Sequence, residues 1–569
     1  MRILLIAGAF NSLTQRVYAE LGDRGHRVSV ELVTRETPLA EVVRRRRPDL
    51  IVAPMLKTAV PREVWSAVPC LIVHPGPVGD RGPSSVDWAV QLGADRWGVT
   101  VLQANDEMDA GDIWAHADCP VPPVGKSDLY RNEIADAAVE AVLTAVARVA
   151  SGTHRPQPQA TLPAAARTGR PRPPLRQDAR RIDWHRDTTD TVVRTLRAAD
   201  SQPGVRDELL GETWQLHGGH PDDTLTGRPG ELLATRCGAI CRATADGAVW
   251  IPELRPPRAP GEPGTVKLPA TLALGDRLPP LPETPAPTGP GDGRRTWSDI
   301  RYREDGPAGF LEFSFPGGAM STDHCRRLLA AYRRACTRPT SVLVLGGRRD
   351  FFSNGIHLHV IEAADDPAAE SWANLNAMDD LVHAVLTTTD RLVVAALGGN
   401  AAAGGAMLAL AADEVWCRSS VVLNPHYRLM GLHGSEFWTY TLPRRTGPEV
   451  AEQLTTRALP LTAATGARLG LVDRILDCAA QEFTARTTRL AVRLASAPSA
   501  RARIAAKKAD RERDEADRPL AAYREDELAR MHAVFFDPEQ PYHALRRAFV
   551  RKEPGGTPAH LNAGGSAGT

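Results

Sequence analysis

Two places in the chain gather residue types that can do chemistry. The run CLIVHPGPVGDRGPSS puts His74 at the end of an apolar, strand-like segment, followed by a Gly/Pro-rich loop that lets backbone approach a ligand. About 35 residues later, DEMDAGDI places Asp109 in a turn between two strand-like runs. A His and an Asp on neighbouring loop ends share a proton. The carboxylate raises the imidazole's basicity and steadies its cation, which suits acyl transfer through a tetrahedral intermediate. The second place pairs DFFSNGIHL (350–358), read as a strand running into a loop at Gly355, with GGNAAAGGAMLALAADEV (398–415), read as a small-residue loop entering a helix at Gly404. Close backbone approach at a helix start offers N–H donors to an anion. Loop caps and packing glycines give the same patterns, so spacing alone leaves both places open between chemistry and structure.

The elements that must position these residues follow from periodicity. Before residue 152, short apolar runs (RILLIAGAF, 28–33, DLIVAP, CLIVHP, GVTVLQA) alternate with helical patterns, which predicts a mainly parallel, helix-flanked sheet binding its ligand at the strand carboxyl ends. His74 falls there. Residues 177–275 begin with one helix (TTDTVVRTLRAA) and continue as short strands, a small β-barrel-like domain. Residues 297–545 open with strands and become helical, an α/β domain with a helical C-terminal extension. Pro-rich segments lie at 153–176 and 276–296, the second a linker, and 546–569 reads as a flexible tail. The fold class is therefore α/β multidomain.

Composition narrows the partners. The 569 residues carry 69 Lys+Arg against 68 Asp+Glu, and a net charge of +1 gives no drive toward nucleic acid or an anionic membrane. The Arg44–Arg47 run before Pro48 reads as a solvated helix end. No apolar stretch approaches the ~20 residues of a membrane span, and MRILLIAG lacks a cleavage site, so a soluble, cytoplasmic chain is expected. Eight scattered cysteines form no disulfide framework. The Cys237/Cys241 pair, and His357 with His359 on one predicted strand face, lack further ligands at diagnostic spacing, so no metal site is expected.

With VHP at 73–75, PDLIVAPMLKTAVP at 48–61 and MDAGDI at 108–113, the first block resembles the 10-formyltetrahydrofolate-dependent formyltransferases. RIDWHRDTTDTVVRTLRAADSQPGV and GRPGELLAT resemble the β-domain that follows the catalytic domain in methionyl-tRNA formyltransferase. The resemblance implies catalytic His74 and Asp109 and a pterin pocket lined by Met55, Leu56 and Lys57. It also exposes a departure. The family's Asn two residues before the His is Ile72 here, leaving Gln103, Asn105 or Arg81 as candidate replacement donors. Arg131 (LYRNEI) is a candidate phosphate contact or an exposed helix residue.

The second place, with FSFPGGAMS at 313–321, resembles the crotonase (enoyl-CoA hydratase/isomerase) superfamily. This implies oxyanion donors at the Ile356 and Gly404 amides, flanked by Gly355 and Gly405, for a coenzyme A thioester. The hydratase glutamates are missing: Met407 occupies the first position, and His426–Tyr427 the region of the second. Tyr427, Glu436 and Tyr440 are the polar groups left to handle a proton, or to serve as core.

The fused order resembles a family of nickel–iron hydrogenase maturation proteins. It implies carbon monoxide made from 10-formyltetrahydrofolate through formyl-coenzyme A, with hydrogenase maturation proteins receiving the product. Two alternatives are a formyltransferase acting on an amine with a separate CoA-ester activity in the second half, and an inert scaffold.

Overall fold

The computed structural model describes residues 1–34, 36–163, 167–259, 261–287, 294–553 and 558–562. The chain divides into two compact units, residues 1–219 with 554–569, and residues 220–553.

In the first unit, β1 (Arg2–Ala7), β2 (Arg27–Leu32), β3 (Leu50–Met55), β4 (Cys70–His74), β5 (Arg96–Gln103) and β6 (Ile113–Pro120) form a sheet in the order β2-β1-β3-β4-β5-β6. The first three pairings are parallel, and β5 and β6 run antiparallel. Helices α1 (Ser12–Asp23), α2 (Leu39–Arg46), α3 (Ser85–Gln91) and α4 (Ala135–Ser151) accompany it. Ile3–Ala7 and Leu50–Ala53 are almost wholly buried, as expected of strands covered on both faces. Helix α2 ends on Arg44–Arg46 with Arg47 left-handed, its cations beside the negative end of the helix dipole. The sheet ends β4 on His74 and puts Asp109, at φ 57°, in the turn between β5 and β6.

The described parts of the Pro-rich stretch, 153–163 and 167–176, are built into this unit, and 164–166 lie outside the described residues. Gln157 pairs with Ile113 and Pro171 with Arg81, and the Gly169 N–H donates to the Val78 oxygen at 2.9 Å. Proline removes donors from the stretch, but its neighbours supply enough to fasten it beside His74. Helix α5 (Thr189–Ala198) and the hairpin of β7 (Val205–Leu209) and β8 (Glu212–His217) complete the first unit. The β-rich region expected at 177–275 thus contributes to both units.

The second unit opens with an antiparallel sheet of β9 (His220–Asp222), β10 (Leu232–Arg236), β11 (Ala239–Ala243) and β12 (Ala248–Ile251), in the order β10-β11-β12-β9. A short pair, β13 (Glu253–Arg255) and β14 (Leu268–Pro269), follows. The expected linker at 276–296 is tied down at both ends. Thr235 exchanges backbone bonds with Pro282 and Thr284, and Arg295 N–H donates to Asp223 at 3.0 Å. Residues 288–293 of that stretch lie outside the described residues.

Next come β15 (Ile300–Asp305), β16 (Ala308–Phe313), α6 (Thr322–Cys336), β17 (Val342–Gly346), α7 (Pro367–Leu386), β18 (Leu392–Leu397), α8 (Gly404–Leu410), β19 (Glu414–Arg418), α9 (Trp438–Thr446) and β20 (Arg474–Leu476). The sheet runs β15-β16-β17-β18-β19-β20, parallel except for β15 against β16. One large core packs its face against α6, α7 and α8, and a second packs β16–β19 against α10 (Phe483–Ala495). The helical extension is α11 (Ala500–Asp517), α12 (Leu520–Phe536) and α13 (Pro541–Arg551).

Two expectations are corrected. Residues 350–358 form no strand. They make single bridges at Ser353 and Ile356, Gly355 turns at φ +81°, and the next helical turn starts at Leu358. His357 and His359 therefore share no strand face: His357 Nδ1 accepts the Val360 N–H as a cap, and the His359 ring meets the Lys267 oxygen. The expected tail from 546 is helical to 551, because Arg546 is buried against Glu362 at 2.9 Å. Beyond it, Leu561 is fully buried in the first unit, while 554–557 and 563–569 lie outside the described residues.

Candidate active sites

His74 and Asp109 meet as expected, with Nδ1 3.3 Å from Oδ1. The other ring nitrogen, Nε2, lies 3.0 Å from Asp80 Oδ2. Asp80, missed in the sequence, sits six residues on in the Gly/Pro loop and also binds Arg172 from the Pro-rich stretch. Gly82 N–H donates to Asp109 Oδ2 at 3.2 Å. Burial disfavours the imidazolium, but hydrogen bonds to Asp109 and Asp80 outweigh it and hold the His74 pKa up at about 9. Burial likewise pushes Asp109 up, and His74 more than reverses this, leaving its pKa low. At neutral pH the pair is an imidazolium between carboxylates, a proton donor with its orientation fixed on both sides.

The loop pays for this closeness at Gly76, where an added methyl would overlap His74 Nε2 and Asp80 Oδ2. Gly76→Ala is expected to push the two apart. Followed by NMR, the His74 midpoint then moves from about 9 toward the ordinary 6.5, and an unchanged midpoint contradicts the contact.

Around this centre, Met55 and Leu56 are half-buried at the end of β3, and Lys57 is exposed. Leu56 packs in the same apolar cluster as Ile72, so the face where the related enzymes carry Asn is hydrocarbon here. Each of the three candidates has a partner, and the two amides take theirs on the carbonyl oxygen rather than on the N–H donors. Gln103 Oε1 accepts the Trp114 indole N–H at 3.0 Å, Asn105 accepts the Glu107 N–H, and Arg81 pairs with Glu107. Arg131 is half-buried in a π-helical turn, Tyr130–Ile134, rather than on an exposed α-helix.

In the second unit the two small-residue loops close on each other. Ala402 N–H donates to Ser353 O at 2.9 Å, and a methyl at Gly405 would overlap that carbonyl. A methyl at Gly355 would sit 3.2 Å from Gly404 N, so the turn that leads into Ile356 packs against the start of α8. Neither the Ile356 nor the Gly404 amide donates to an acceptor among the described residues. Glu436 arrives at the same spot: its Oε1 lies directly against Gly404. Its Oε2 takes the Tyr427 hydroxyl at 2.7 Å and the Ser435 N–H at 3.1 Å, so a proton on this carboxyl belongs on Oε1. Burial, then the negative charge of Asp379, raises the Glu436 pKa above the carboxylate range. Met407, where the hydratases carry glutamate, is a fully buried core residue.

The turn carrying Glu436 is strained, with Glu436 at φ 60° and Phe437 at φ 58°. Such conformations cost ~1–3 kcal/mol each and persist only where their surroundings hold them. The holders are Asp379 and Glu527, both missed in the sequence: Glu436 N–H donates to Asp379 at 2.8 Å and Phe437 N–H to Glu527 at 2.9 Å. Tyr440 donates to Asp514 at 2.7 Å and lies under Arg444 and Arg511, contacts that fit the structural one of the two roles left open for it.

Fold and geometry together define a formyltransferase-type half joined to a crotonase-type half. Family models agree: formyl transferase matches residues 1–146, the formyl transferase C-terminal domain 174–262, and enoyl-CoA hydratase/isomerase 317–552. The chain is 48% identical to hydrogenase maturation factor HoxX of Bradyrhizobium diazoefficiens, over 97% of this chain and 95% of that one. A crystal structure of HypX from Aquifex aeolicus in complex with tetrahydrofolic acid is 41% identical and superposes with a TM-score of 0.93, covering 99% of this chain and 98% of that one. Methionyl-tRNA formyltransferase of Syntrophus aciditrophicus is 25% identical over 34% of this chain and 61% of its own length. The chain belongs to the HypX/HoxX family of hydrogenase maturation factors.

Proposed function

We propose that this chain makes carbon monoxide for the nickel–iron centre of hydrogenase, by moving a formyl group from 10-formyltetrahydrofolate to coenzyme A and then releasing it as carbon monoxide. The carrying observation is Glu436 Oε1 set against Gly404 at the start of α8, where a hydratase would need two acid/base groups and this chain has one carboxyl and Met407. Folate is supported by the tetrahydrofolic acid complex of the Aquifex relative, and coenzyme A by the crotonase-type amides.

In the first step the thiol sulfur of coenzyme A attacks the formyl carbon and the carbon–nitrogen bond to folate breaks. His74 gives a proton to the departing nitrogen and regains one from the thiol, so no net proton is consumed. In the second step the Ile356 and Gly404 amides hold the thioester oxygen, each such donor worth about 3–4 kcal/mol in comparable sites. Glu436 protonates sulfur as the carbon–sulfur bond breaks, then recovers the formyl hydrogen as a proton. The products are carbon monoxide and the free thiol, and water takes no part. This reading places the chain in the cytoplasm, where folate and coenzyme A are met. In keeping with it, no helix among the described residues is long and apolar enough to cross a membrane.

Purified protein given 10-formyltetrahydrofolate and coenzyme A should release carbon monoxide, trapped by reduced haemoglobin. Formate alone, or no one-carbon product, sinks the reading. Formyl transfer to an amine without coenzyme A would favour an amine formyltransferase.

A further inference from the structure

Two carboxylates that take no part in the steps above surround Glu436 on its own turn. Asp379, on α7, accepts the Glu436 N–H at 2.8 Å and the Ser435 hydroxyl on both of its oxygens, at 2.8 and 2.7 Å. Glu527, on α12, accepts the Phe437 N–H at 2.9 Å and the Thr439 N–H at 2.8 Å. Both are fully buried. Each therefore takes the N–H of one of the two consecutive left-handed residues, and the two come from α7 and α12, which Arg524 also links through Asp380 and Asn376. Hydrophobic side chains would fill this space at lower cost. Buried charges of one sign are expensive unless paired, and here the nearest cation, Arg524, stands 3.7 Å from Asp379 and closer, at 2.7 Å, to the half-exposed Asp380.

We infer that Asp379 and Glu527 are positioning residues for Glu436: their acceptors fix its strained turn so that Oε1 lies against Gly404, and the charge of Asp379 keeps the proton on that oxygen. The inference rests on the carbon monoxide reading for what the proton is used for, and on the geometry alone for the clamp. The titratable and charged groups around Glu436 are Tyr427 on its own loop, Cys325 on α6, Asp379, Asp380 and His383 on α7, and Arg524 and Glu527 on α12. Asp379 is the charged group that bonds both to Ser435 and to the Glu436 backbone, so its removal should act most directly.

The test uses the full chain and two readouts. Infrared difference spectroscopy follows the protonated carbonyl stretch of Glu436 against pH, assigned by its loss in Glu436→Gln. The pH profile of carbon monoxide release is recorded on the same variants. Asp379→Asn keeps an acceptor and removes the charge, so the Glu436 midpoint should fall by about one pH unit or more. Arg524→Gln removes the cation and should raise it. The alkaline limb of carbon monoxide release should follow in both directions, which a general loss of folding would not produce. Glu527→Ala should lower kcat about 10- to 100-fold with KM unchanged, and Glu527→Gln, which keeps an acceptor, should recover most of it. If Glu527→Ala fails to fold, the opposed Asp379 and Arg524 shifts still decide. A Glu436 midpoint unmoved in both variants, or moved the same way in both, overturns the inference. So does a midpoint that moves while the pH profile of carbon monoxide release stays fixed. A wild-type protein that makes no carbon monoxide but shows the opposed shifts overturns the decarbonylation reading and upholds the charge coupling.

Discussion

Glu436→Gln is expected to stop carbon monoxide release while formyl-coenzyme A accumulates. The substitution keeps the shape of the side chain and an oxygen for the Tyr427 hydroxyl to bond, at 2.7 Å in the present structure. It removes the one proton that Oε1 can exchange beside Gly404. Loss of a general acid/base group costs typically ~10²–10⁴-fold in rate, so the second step should become the bottleneck while the first continues. Mass spectrometry of the coenzyme A pool measures both at once. Retained carbon monoxide output would mean that Glu436 only fills space and that another group moves the proton. Tyr427 is the nearest alternative, but burial and the adjacent Glu436 charge drive its pKa well above the ordinary phenol value, which keeps it a bound donor.

The difference between what could and could not be read from the sequence follows from distance along the chain. His74 was legible because an apolar strand must end where its polar residue meets the loop, and Asp109 because a turn separates β5 from β6. Asp80 was within the same loop, yet its role appears only when Arg172, 92 residues on, folds back over it. The clamp on Glu436 was beyond reach for the same reason, since Asp379 and Glu527 come from 57 residues before and 90 residues after their partners. Residues 350–358 misled because apolar Phe351 and Phe352 suggest a strand. In fact Ser353, Asn354 and Gly355 spend their backbone groups on the loops at 317–320 and 401–405. The Pro-rich stretches misled in the opposite way. Their composition excludes helix and central strand, but a few bonds to a neighbour suffice to make part of a site from them.

His74 carries the other large expectation, and its sign follows from two carboxylates facing one ring. His74→Ala should lower formyl-coenzyme A formation by ~10²–10⁴-fold, measured with the thiol and 10-formyltetrahydrofolate before any carbon monoxide step. In the wild type the first step needs the imidazolium, so its rate should hold through neutral pH and fall as pH rises through about 9. The same shift stabilises the fold. Raised from 6.5 to about 9, the ring contributes fully below 6.5 and loses its contribution as pH climbs through 9, a difference of roughly 2–4 kcal/mol for this buried group. Asp109 behaves in the opposite sense. Its lowered pKa adds stability above the ordinary carboxyl value, which is lost as acid protonates it. Asp109→Asn separates the two effects: it removes one of the two charges holding the proton on His74, so both the alkaline limb of formyl transfer and the alkaline loss of stability should move to lower pH together. If the limb stays at about 9 in Asp109→Asn, then Asp80 and Arg172, not the pair predicted from the sequence, set the acidity of this site.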